Sequence, residues 1–214
     1  MKKTQEKIIV MAIRLFNQKG VGNIRLQDIA KAAEISPGNL TYHYKTKKIL
    51  MMAVLDYMSA VRLNMKSVYQ PALEATNWID LLKNYLHFQI QFRFFSRDIL
   101  EIICLVPEAK NLFEQQIAYM VDFSKNSIYL AIGKGYMLPE PREGHFDIFA
   151  KNLWAILDSW LREREVFGEE QVGLYQAMLA VLEMHYHYFT DEGRELYVEI
   201  LKQLPDLVEK EISI

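Results

Sequence analysis

Three short amphipathic segments lie within the first fifty residues, and a chain that carries them has few folds open to it. Ile9, Ala12, Ile13 and Phe16 recur at i, i+3, i+4 and i+7, which predicts a helix over residues 4–19 with Thr4 as its N-cap. Gly20 follows, where a helix end needs a positive φ. Residues 26–33 predict a second helix, with Leu26, Ile29, Ala30 and Ala33 on one side. Glu34, Ile35 and Ser36 make a turn. Ser36 then caps a third helix that starts at Pro37, whose missing N–H costs nothing in the first helical position, and runs through Tyr44. Two helices joined this tightly, behind a first one, are a helix-turn-helix. Leu26, Ile29, Ala30, Ile35 and Leu40 then pack against the first helix. Gly38, Asn39, Thr41, Tyr42 and His43 are left on a face that can enter a major groove. An asparagine amide reads adenine, and a threonine meets a thymine methyl or a phosphate. Lys45, Lys47 and Lys48 follow at once, and each can neutralise a phosphate and release counterions.

The charge is divided along the chain. Residues 1–48 hold ten Lys/Arg against three acids, a net +7, whereas the remainder is −9 and the whole is −2. A polyanion-binding end on a neutral-to-acidic body is one reading of this split; a solvated charged surface is the other. Cys104 is the only cysteine, so neither a disulfide framework nor a cysteine metal cluster forms within one chain, which fits a reducing cytoplasm. No apolar run reaches about 18 residues, so no membrane span is expected.

Beyond the third helix the expected fold is all-α. A helix capped by Thr46 runs over 46–69 and ends before Pro71. Over 76–95 the alternation of Leu86, Phe88, Ile90, Phe92 and Phe94 reads as a strand, while Leu81, Tyr85, Phe88, Phe92 and Phe95 read as a helical stripe. A lone strand cannot stand, so a helix is expected. Further helices are expected over 97–105, 108–133, 145–165, 171–189 and 191–210, with Pro205 kinking or ending the last. Two domains result: residues 1–48, a three-helix DNA-binding domain, and residues 49–214, a helical bundle for ligand sensing and dimerisation.

At its N-terminal residues the chain resembles the TetR family of bacterial transcription factors. The resemblance covers Ala12 to Leu50. It rests on Ala12, Leu15, Phe16 and Gly20, on Asp28-Ile29-Ala30-Lys31-Ala32-Ala33, and on Ile35-Ser36-Pro37-Gly38-Asn39-Leu40-Thr41-Tyr42-His43-Tyr44-Lys45, with Lys47 and Leu50 behind. It implies a homodimer of nine or ten helices per subunit that binds a palindromic operator under ligand control, usually as a repressor. The candidate contacts to double-stranded DNA are Arg25, Gln27, Pro37, Gly38, Asn39, Thr41, Tyr42, His43, Lys45, Lys47 and Lys48. Three positions depart from the family pattern. Arg25 stands where Thr often caps the second helix, so Asn23 caps from a shifted start or Arg25 lies on the phosphate backbone. Glu34 stands where the turn often has Gly, so the turn is either strained or slightly different. Thr41 replaces an aromatic, so contacts made by that ring do not carry over.

In the second half, residues 171–189 hold thirteen apolar or aromatic residues out of nineteen. A helix apolar nearly all round is buried on more than one side. The second side is either a partner subunit, which makes a four-helix dimer interface with 145–165, or a monomer's own core. Tyr85, Phe88, Phe92, Phe95, Tyr119, Phe123, Phe149 and Trp154 either line a pocket for an apolar or aromatic small molecule or are plain core, with His87, Gln91 and Asn152 as polar handles. Tyr85, His87, Phe88, Phe92, Tyr119, Phe123 and Trp154 are the candidate ligand contacts. No cofactor or metal is expected. Glu-x-x-His and His-Glu-x-x-His are absent, and His185 and His187 diverge by about 200° on a helix, so helical metalloenzyme chemistry has no ligand set. A helical adaptor that never meets DNA is the third reading, against which the +7 segment speaks.

Overall fold

The computed structural model describes residues 3–69, 75–166, 171–172, 174–207 and 212–213. Eleven helices appear among them: α1 (Lys3–Lys19), α2 (Leu26–Ala32), α3 (Pro37–His43), α4 (Lys47–Tyr69), α5 (Ala75–Gln91), α6 (Arg93–Arg97), α7 (Ile99–Leu105), α8 (Ala109–Gly133), α9 (His145–Val166), α10 (Leu174–His185) and α11 (Asp191–Leu207). A 3₁₀ turn, Tyr186–Tyr188, follows α10. The architecture is all-α with one exception: β1 (Gln171–Val172) pairs antiparallel with β2 (Ile212–Ser213). Residues 171 and 172 were expected in a helix; their backbone bonds go to the C-terminal segment instead. Residues 167–170, between the helices expected over 145–165 and 171–189, and Pro71 lie outside the described residues.

The chain forms two compact units, and they do not follow the boundary at residue 48. One comprises residues 1–68 together with 91–113; the other comprises 69–90 and 114–214. The physical reason is visible at Phe92. The single helix expected over 76–95 breaks there, at φ −119°, ψ 31°. The Asn17 side chain of α1 takes over the backbone groups that the break releases. Its amide nitrogen donates to the Gln91 carbonyl at 2.9 Å, and its oxygen accepts from Phe94 N at 3.1 Å. Phe94 then packs on Phe16 with ring centroids 5.6 Å apart, and Phe92 lies 6.4 Å from Tyr57. Phe16, Phe92, Phe94 and Phe95 are all fully buried. Burying one such ring is favourable by about 2–3 kcal/mol, more than enough to favour the break.

Arg97 and Asp98 complete the same corner. Arg97 donates to the carbonyls of Phe16 and Asn17, at the C-terminal end of α1 where carbonyls lack helical partners. Asp98 accepts from Val21 N at 2.8 Å and pairs with Arg97 at 2.9 Å. Gly20, at φ 83°, ends α1 with its N–H on the Phe16 carbonyl.

In the second unit, Leu86, Leu153, Leu157, Ala177, Met178, Val181 and Leu182 form the centre of one core. A smaller cluster gathers Ile128, Met137 and Phe146. Glu140 holds the loop before α9: its carboxylate accepts from Phe146 N at 2.9 Å and from the Tyr129 hydroxyl at 3.1 Å. The Phe146 N–H keeps the Glu140 carboxyl below its usual range. Thr190 caps α11, accepting from Gly193 N at 3.1 Å. Gly193 is required there, because a Cβ would sit 1.9 Å from the Tyr136 carbonyl oxygen. Pro205 lies inside α11 rather than ending it.

Candidate nucleic-acid interface

The interface is built from α1 upward. Ile8, Ile9, Ala12, Ile13 and Phe16 bury one face of α1, and Ile29, Ala30 and Ala33 of the α2 region are also buried. Small side chains at 30 and 33 allow close helix approach. α2 ends in a Schellman motif: Ile35 N bonds the Ala30 carbonyl at 3.0 Å and Glu34 N bonds the Lys31 carbonyl at 3.1 Å. The motif needs a left-handed residue between them, and Glu34 supplies it at φ 54°. The strained turn, one of the two alternatives left by the missing glycine, is therefore present. Glu34 also accepts an ion pair from Lys7 at 3.0 Å.

α3 starts as expected. The Ser36 hydroxyl accepts from Asn39 N at 3.2 Å, with Pro37 in the first turn. Leu40 is fully buried and Tyr44 is 6% exposed, so these two hold the helix from behind. Burial raises the Tyr44 phenol above its ordinary pKa, which keeps it neutral. Thr46 caps α4, its hydroxyl accepting from Ile49 N at 3.2 Å.

The sequence-derived contact residues mostly share the open side of this assembly. Pro37, Gly38, Asn39, Thr41 and Lys45 are exposed, Tyr42 is 82% exposed, and His43 is half-buried with its ring 5.2 Å from that of Tyr42. A Cβ added at Gly38 would meet nothing within 4 Å, so packing within the protein does not demand a glycine there. A bare backbone at this point leaves room for a close outside approach. Arg25 and Gln27 are exposed on α2's first turn, and Lys48 is exposed on α4.

Three residues, Asn23, Lys47 and Thr4, sit differently from expectation. Arg25 is the N-cap residue of α2 and, having no acceptor, caps nothing with its side chain; Asp28 accepts from Arg25 N at 2.8 Å instead. Asn23 does not cap α2; its amide donates to the Lys19 carbonyl at 2.8 Å and so caps the end of α1. Lys47 is not spread toward a phosphate: its ammonium donates to the Val21 carbonyl and ties α4 to the loop after α1. Thr4, expected as a cap, lies inside α1.

The candidate ligand contacts are not all brought together. Phe92 belongs to the first unit, as does Phe95. Tyr85 and Phe88 are buried in the second unit, where Tyr119, Phe123 and Trp154 pack at the edge of the main core. His87 is exposed, and so are Gln91 and Asn152, so none of these handles points to an interior. Among the described residues, the buried polar side chains of that unit are Gln89, Gln116 and Asp158. The Gln89 amide donates to the Tyr85 hydroxyl, one turn away. Burial pushes the Tyr85 phenol well above its ordinary pKa, so it stays protonated. The i,i+4 spacing of Tyr85 and Gln89 was the available signal; Gln116 and Asp158 carried none. Among the described residues no three His, Cys, Asp or Glu side chains stand together as a metal site, and no helix is long and apolar enough to cross a membrane.

Two family models match the chain, one on either side of residue 55. A model of bacterial regulatory proteins, tetR family, matches residues 8–54, and a TetR model described as bacterial transcriptional repressor matches residues 56–197. YerO of Bacillus subtilis, an HTH-type transcriptional regulator, is 25% identical over 132 residues, which is 60% of this chain and 45% of that protein. The aligned region thus spans less than half of that relative's length. A TetR-family regulator from Marinobacter aquaeolei VT8 superposes with a TM-score of 0.80 at 22% identity, covering 95% of this chain and 99% of its own. A transcriptional regulator of Saccharomonospora viridis, solved with choline, superposes with a TM-score of 0.67 at 17% identity over 88% and 98% of the two chains.

Proposed function

The chain belongs to the TetR family of bacterial regulatory proteins, and from that premise we propose that it represses transcription by binding a palindromic operator as a homodimer, under control of a small-molecule effector. The observation that carries this reading is the outward face of α3. Asn39, Thr41 and Tyr42 are exposed while Leu40, on the same helix, and Tyr44, which follows its last turn, are buried. A short helix held from behind with its polar side open is what groove insertion needs. Asn39 then addresses base edges, and Lys45 and Lys48 address phosphates, with Arg25 and Gln27 flanking.

Two-fold symmetry would set paired recognition helices about 34–36 Å apart, one turn of DNA. The dimer contact we propose uses α9 and α10. In support, Ile148 and Ile156 of α9 are 49% and 45% exposed, and Ala155 is exposed beside them. Apolar groups on one helix face are covered at low cost by a second copy. The effector is proposed to be apolar or aromatic and to bind in the second unit, near Tyr85, Phe88, Tyr119, Phe123 and Trp154. The choline held by the Saccharomonospora viridis relative supports a small organic effector in this fold. Three residues separate α3 from α4, so an effector that rotates α4 would shift the recognition helix. Work on DNA puts the protein in the cytoplasm.

The test is replacement of Thr41, Tyr42 and His43 together by Ala. Operator affinity is expected to drop at least a hundredfold, with helix content and dimer mass unchanged, in gel retardation and light scattering. Retained affinity would remove α3 as the reading element.

A further inference from the structure

The Thr41 hydroxyl is turned back on its own helix. Its Oγ1 lies 3.0 Å from the Pro37 carbonyl and 3.1 Å from the Gly38 carbonyl, and donates its one proton there. A threonine in this back-bonded state has no proton left for a phosphate, for purine N7, or for O4 of thymine. Oγ1 and the Cγ2 methyl diverge from the same Cβ. Folding the oxygen against the preceding turn leaves the methyl as the branch on the exposed side of an exposed residue. Gly38, three residues earlier on the same face, has open space where a side chain would stand, so nothing screens that methyl.

We propose that Thr41 is a specificity-determining residue that reads the 5-methyl group of a thymine through its own methyl, its hydroxyl taking no part in recognition. The proposal rests on the reading above that α3 occupies the major groove, where thymine is the base pair's one source of a methyl. It makes Thr41 an apolar reader beside the polar reader Asn39, and it commits each half-site of the operator to a thymine at the step facing Thr41.

The experiment uses the full chain and an operator selected by it from a random duplex pool. Each thymine of one half-site is replaced in turn by deoxyuridine, which removes only the methyl. One such replacement is expected to weaken wild-type binding about fourfold, the effect of exposing one buried methyl-sized group. Thr41→Val keeps the methyl and should bind within twofold of wild type. Thr41→Ser keeps the hydroxyl and should lose about sixteenfold, fourfold for each half-site, and should show no further loss with deoxyuridine at the sensitive step. Weak binding by Thr41→Val with full binding by Thr41→Ser would overturn the proposal, as would a half-site in which no thymine methyl matters. If wild type enriches no sequence, the groove reading itself fails and takes this proposal with it. A selected palindrome that ignores the methyls sinks this proposal alone.

Discussion

Glu34 occupies the left-handed region at φ 54°, where a side chain with a Cβ costs about 1–2 kcal/mol relative to glycine. What it gains in return is the ion pair with Lys7, between side chains 46% and 82% exposed, and pairs that exposed contribute little. Glu34→Gly should therefore stabilise the protein by about 0.5–1 kcal/mol, seen as a rise in Tm. An unchanged or lower Tm would show that the turn is not strained. This position was legible in the sequence, because the helix-turn-helix pattern sets its backbone conformation and the residue present does not suit it. Lys47 was not legible in the same way. A lysine run reads as three phosphate contacts, and only the fold reveals that one ammonium is occupied by the Val21 carbonyl. Arg25 and Asn23 teach the same lesson: which end of which helix an amide caps depends on loop geometry that spacing alone does not fix.

At the level of elements, the apolar periods located nearly every helix within a few residues, because a helix buries a face and a face has a period. The exception is the break at Phe92. Both the strand-like alternation and the helical stripe over 86–95 arise because residues to 90 and residues from 91 are buried in different units. No local pattern could disclose this, since the groups that stabilise the break, Asn17 and the end of α1, are more than seventy residues away in sequence. The consequence is that α6 and α7 belong to the same compact unit as α1, α2 and α3. Asp98 is its tie, with a side chain only 14% exposed that serves both Val21 N and Arg97. Removing one member of such a group strands the others, at a cost of about 2–3 kcal/mol. Asp98→Ala should accelerate amide exchange at Val21 to Ile24 by more than tenfold. Unchanged exchange there would mean that residues 91–113 do not support the loop after α1.

For the whole molecule, the second unit is where sequence said least. Aromatic residues at helical spacing could be core or pocket, and the structure assigns Phe92 and Phe95 to the other unit while Gln89, Gln116 and Asp158 are buried without having been singled out. Its pH response follows from His185, whose ring lies 4.9 Å from that of Phe149 and whose Nδ1 bonds the Val181 carbonyl at 2.7 Å. Burial lowers its pKa below the ordinary 6.5. The folded state thus resists a proton that the unfolded chain accepts, so stability is full above about pH 6.5 and declines as pH falls below it. Melting between pH 7.5 and 5.5 should show this decline, reduced in His185→Gln; an equal decline in both would point to other groups. Repression by this protein requires two copies of α3 reading one symmetric site. Enrichment of bound duplexes from a random pool by the full chain tests that most directly. An inverted repeat, with half-site centres about 10 base pairs or a multiple apart and two chains per duplex, is the predicted result. Enrichment of no sequence, or of a single asymmetric site bound by one chain, would contradict it.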